Sequence, residues 1–130
     1  MDDNKKFCET HNGDNLYIGT IKDYKNGVMK VKMTSDWTVK YQKARCTYIT
    51  DYNEEKTLSI PERNVYNNQS IYKYDDEYIV ATDENLAKSL FCKLIDGYIE
   101  SLNISIGSLI EERYEMNNYI NKFFQKEFHN

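Results

Sequence analysis

A single change of hydrophobic period, near Thr82, constrains this chain more than any motif it carries. Before that point apolar residues alternate, as on strands with one buried face. Leu16-Tyr17-Ile18-Gly19-Thr20-Ile21 is a first β-branched run. Asn26-Gly27 is a hairpin signal, and Val28 to Met33 then places Met29, Val31 and Met33 on one face and Lys30 and Lys32 on the other. Trp37-Thr38-Val39-Lys40-Tyr41 alternates again, which predicts Trp37, Val39 and Tyr41 facing the core. Further strands are expected at 45–52, 57–60, 70–74 and 78–80, with turns at 53–55, 67–68 and 75–76. Pro61 ends a strand or lies on a sheet edge.

After Thr82 the period is helical. Thr82 or Asp83 is a good N-cap, since either side chain can accept an N–H of the first turn. From Glu84 to Leu102 the apolar residues cover an arc of roughly 220° at about 100° per residue. A helix resting on one sheet needs only about 100° or somewhat more. The excess predicts cover from a second side, by another helix or a second subunit. Asn103-Ile104-Ser105 reads as a break, and Ser108-Leu109-Ile110-Glu111 matches a capping box. The expected fold is α+β: an N-terminal antiparallel β-sheet followed by a C-terminal pair of antiparallel helices. It forms a single domain over 1–130, with the sheet part at 16–81 and the helical part at 82–127.

Composition removes several function classes. The net charge is −4, which gives no basic footprint for duplex nucleic acid. The longest stretch free of charged residues, 101–110, is half of what a membrane span requires (about 20 residues). The start, Met1-Asp2-Asp3-Asn4-Lys5-Lys6, has no apolar run behind it, so no signal peptide is expected, and a cytoplasmic location follows. Three cysteines, Cys8, Cys46 and Cys92, are odd in number and widely spaced, so they are read as free thiols. Phosphate-binding glycine loops, GxSxG, HExxH and CxxC are missing. The two histidines, His11 and His129, lie near the ends. The expectation is a protein that is not an enzyme and uses no cofactor or metal. Twelve Tyr and 14 Asn reflect an AT-rich coding bias, or a Tyr-built contact surface.

Two features rise above this background. On a helical wheel Arg113 and Asn117 fall inside the apolar stripe of the second helix. A buried guanidinium must be paired, either by a carboxylate or by an anionic ligand such as a phosphate, which suits the planar Arg fork. The second feature is the stretch 28–45, where Lys30, Lys32, Lys40, Lys43 and Arg45 meet only one acid, Asp36. It is either a solvated outer sheet face or a local anion site.

The order of elements, the chain length, the inward helix Arg113 and the run Tyr78-Ile79-Val80-Ala81-Thr82-Asp83-Glu84-Asn85-Leu86-Ala87-Lys88 resemble the phage Thoeris anti-defence proteins of the first type. Those are small sponges for a cyclic nucleotide-derived immune signal, held at subunit junctions. The resemblance implies a homo-oligomer in the host cytoplasm that sequesters a small anionic nucleotide. The resemblance carries over Arg113 and Asn117 as ligand residues; beside it, Arg45 or Arg63 would help Arg113 hold the phosphates, with Tyr rings stacking on the base. The alternative is a protein inhibitor, of anti-CRISPR or immunity type, docking an acidic surface (Glu100, Glu111, Glu112, Glu115) on a bacterial defence protein. Self-association is expected through the helical half, most simply as a two-fold dimer.

Overall fold

A computed structural model describes the backbone of residues 5–128 and the side chains to 122. The protein is α+β, as expected: a curled antiparallel sheet followed by a long C-terminal helix. Seven strands form the sheet: β1 (Asn15–Thr20), β2 (Val28–Met33), β3 (Thr38–Lys40), β4 (Lys43–Ile49), β5 (Glu55–Pro61), β6 (Ile71–Tyr74) and β7 (Tyr78–Ala81). A short helix, α1 (Glu62–Tyr66), separates β5 from β6, and α2 (Glu84–Phe128) closes the chain. The order across the sheet is β3-β4-β2-β1-β7-β6, with β5 pairing to the other edge of β4. β2 and β3 share one edge of β4, at Lys32↔Ile49 and Thr38↔Arg45 respectively. The jog at 34–37 between them lets the sheet curl.

The period-2 pattern sorts side chains onto two cores. In β1, Leu16 and Ile18 face one side, while Tyr17 and Gly19 face the other; in β7, Val80 and Ile79 divide the same way. The first core collects Leu16, Ile18, Val31, Met33, Cys46 and Ile60, and is sealed by Phe7 and by Val65 of α1. The second lies under the start of α2, where Ala87, Phe91 and Leu94 pack on Ile79 and Ala81. Asp83 is the N-cap: its Oδ2 accepts the Leu86 N–H at 2.9 Å.

A polar relay ties the seal of the first core. Thr10, 2% exposed, donates its hydroxyl to the Phe7 carbonyl at 2.6 Å and accepts the Trp37 indole N–H at 2.8 Å. Trp37 also meets Phe7 edge-on, with centroids 6.1 Å apart. Thr10→Val keeps the shape but leaves the indole N–H unpaired, so a loss of about 1–3 kcal/mol is expected in urea unfolding followed by Trp37 fluorescence. An unchanged midpoint would show that the relay contributes nothing.

Two expectations are corrected. The helix pair is one helix: Asn103, Ile104 and Ser105 are helical, because a few weak formers cost at most about 1 kcal/mol each, and nothing there removes a backbone donor as Pro would. Val39 and Tyr41 are not buried; they are 41% and 82% exposed, although the register sets Val39 opposite the buried Ala44. β3 is a three-residue rim strand, and Tyr41 with Gln42 form a left-handed turn (φ 55° and 65°) that ends the alternation. The hairpin that Asn26-Gly27 signals is present, since β1 and β2 pair antiparallel, with a connection longer than two residues. A 3-10 segment, Ile21–Asn26, precedes Gly27, whose φ of 64° turns the chain into β2.

The chain divides into two compact units, Met1–Ile95 and Asp96–Asn130. Among the described residues no helix is long and apolar enough to cross a membrane.

Candidate functional site

Pro61 sets the site. It ends β5 on the sheet edge, and its φ of −54° starts α1 at once. The first free donor of α1, the Glu62 N–H, is taken by the Gln42 carbonyl of the β3–β4 turn at 2.9 Å. Arg63, the next residue, is therefore presented outward on a fixed turn. The chain leaves α1 through Asn68 (φ 60°) and returns as β6.

Between α1 and β6 lies an open groove of about 530 Å³, within the size range of small-molecule sites (roughly 300–1,000 Å³). Arg63 and Asn64 line it from the helix, Gln69 from the connection, and Tyr72 and Tyr74 from the strand. Lys73 and Asp75 add one charge of each sign. The two amides are coupled: Asn64 Nδ2 donates to Gln69 Oε1 at 3.4 Å. The Tyr74 ring stacks on Tyr78 at 5.3 Å, and Tyr72 meets Tyr78 edge-on at 6.3 Å. Burial pushes the Tyr72 and Tyr78 phenols up; Arg63 opposes the shift at Tyr72. Tyr72 thus stays a neutral donor at neutral pH. Arg63 also borders a smaller groove of about 380 Å³ shared with Gln42, Pro61 and Glu62.

Such a set does binding chemistry. A guanidinium grips an anion with two parallel N–H bonds, tyrosine rings offer flat faces to a base, and amides and a carboxylate read hydroxyl and amino groups. Among the described residues no three His, Cys, Asp or Glu side chains gather as metal ligands.

The other expected site residues lie elsewhere. Arg45 stands opposite Thr38 and Ser59, on the sheet face away from the first core, and does not line the Arg63 groove. The registers put Lys30, Lys32, Lys40, Lys43 and Arg45 on that same face, all exposed. Arg113 and Asn117 are exposed, on the part of α2 that belongs to the second unit. Exposed in this way, Arg113 needs no partner to offset burial in the single chain.

No family model, curated protein or solved structure matches this chain. The site must be read from its own chemistry. Asn64, Gln69, Tyr72, Lys73 and Tyr74 escaped the sequence reading. The one signal pointing to them was the Tyr alternation in Ile71-Tyr72-Lys73-Tyr74, which a plain sheet strand also explains.

Proposed function

We propose that the protein is a non-enzymatic binder that sequesters a small anionic nucleotide. The observation carrying this reading is the groove in which Arg63, two tyrosine rings and two coupled amides face one volume of nucleotide size. The resemblance to Thoeris anti-defence sponges supplies the ligand class, a cyclic nucleotide-derived signal; the single α2 departs from that family's helix pair. Arg63 holds a phosphate, Tyr72 or Tyr74 takes the base, and Asn64, Gln69 and Asp75 read the ribose and base edges. Arg45 and its lysine neighbours raise the local concentration of an anion without touching it.

Calorimetric titration with cyclic mono- and dinucleotides tests this. Losing a hydrogen bond to a charged group costs about 1.5–3 kcal/mol, so Arg63→Ala should weaken binding roughly 10- to 150-fold. Arg45→Ala should change it only a few-fold, and more at low salt than at high salt. If no nucleotide binds at about 100 µM, the reading fails. A bacterial defence protein retained by Glu111 and Glu112 would then favour the inhibitor alternative.

A further inference from the structure

Because α2 is unbroken, its apolar residues can be counted in one register from Ile99 onward. They fall into a heptad, written abcdefg. Ile99, Ile106 and Ile120 occupy a; Leu102, Leu109 and Met116 occupy d. These six residues are 44–63% exposed. The one polar residue on the seam is Arg113, at a. We infer that residues 99–120 pair with the same segment of a second copy as a parallel, in-register, two-stranded coiled coil.

Four observations select that occupant. Ile at a with Leu at d is the pattern that favours two parallel strands. Burial of roughly 60–120 Å² by each seam side chain removes about 700–1,400 Å² over two copies, and specific interfaces begin near 1,200 Å². The flanking e and g positions from Asn103 to Tyr119 are Asn103, Ser105, Ile110, Glu112, Asn117 and Tyr119, so two identical flanks meet with a single charge each. The last observation is charge complementarity at Arg113. In a parallel pair an a side chain enters a hole bordered by the preceding g residue of the facing helix. That residue is Glu112, so each Arg113 meets a carboxylate of the other copy. An antiparallel pairing sets a opposite d, so Arg113 would face Leu109 of the other copy, leaving a charge against an apolar side chain. A single polar a position also fixes register.

The pairing is independent of the nucleotide reading, because it uses none of the groove residues. Sedimentation equilibrium of the full chain should give two copies, and Leu109→Asp should raise the dissociation constant at least about 100-fold. Cysteine trapping reads the geometry, with Cys92→Ser as background. Leu102→Cys and Met116→Cys should each form cross-linked dimers on their own under mild oxidation, whereas Ile104→Cys, at f, should not. A monomer or trimer mass overturns the proposal. So does a dimer in which Leu102→Cys links only to Ile120→Cys, because an antiparallel pair sets d opposite a.

Discussion

Replacing Phe91 with alanine is expected to cost about 3–5 kcal/mol, the largest loss of any single truncation in the second core. For a cooperative unit of this size that is a fall in Tm of roughly 15–30 °C. The reason lies in how α2 meets the sheet. Phe91 is 4% exposed, and its ring lies on the backbone of β1 at Gly19. A Cβ placed on Gly19 would stand 2.6 Å and 2.8 Å from two carbons of that ring. Glycine is required there by close approach, not by backbone conformation. Gly19→Ala must therefore displace the ring, at about 1–3 kcal/mol. The two changes share one space, so their costs should not add. In a Phe91→Leu background, Gly19→Ala should cost at least about 1 kcal/mol less than in the wild type. Thermal melts of the four proteins check this. If Gly19→Ala melts at the wild-type temperature in both backgrounds, the helix does not rest on β1 as described.

The same site shows what a sequence reveals and what it hides. Alternation in Leu16 to Thr20 and Val28 to Met33 marked which residues face the first core, and Asp83 could be read as a cap, because both are local consequences of backbone geometry. The contact of Gly19 with Phe91 is not local, since it joins residues 72 positions apart. The short helix α1 went unseen, as five residues carry no helical period. The groove it forms with β6 was invisible with it, so Arg63 stood out only as one of three arginines. Arg113 is exposed in the single chain for a different reason. It does lie in an apolar stripe, but a stripe implies burial only where something covers it. Splitting the helix at Asn103 also hid the 3.5-residue repeat. A heptad drifts about 20° against a straight helical wheel, and two short wheels with separate origins conceal the drift.

Alkaline pH should destabilise this protein through Cys46. The thiol is 2% exposed in the first core, and burial pushes its pKa from the ordinary 9.0 up to about 12. An acid whose folded pKa is raised keeps its proton in the native state and loses it on unfolding. Above pH 9 the unfolded chain therefore binds fewer protons, and stability falls as pH rises. The stability is fully present below pH 9 and is lost towards pH 12. The slope approaches about 1.4 kcal/mol per pH unit, so Cys46 alone removes roughly 2–3 kcal/mol between pH 9 and 11. That is a large share of a typical 5–15 kcal/mol. Tyr48, beside Cys46, and Tyr72 and Tyr78 are also raised, chiefly by burial, and they add to the decline above about pH 10. Cys46→Val fills nearly the same volume and cannot ionise. Urea midpoints under reducing conditions from pH 7 to 11 should show the variant declining only through the tyrosines, with about 2 kcal/mol of the wild-type loss missing at pH 11. Parallel curves for the two proteins would mean that water reaches the thiol and that the curled sheet is open at Cys46.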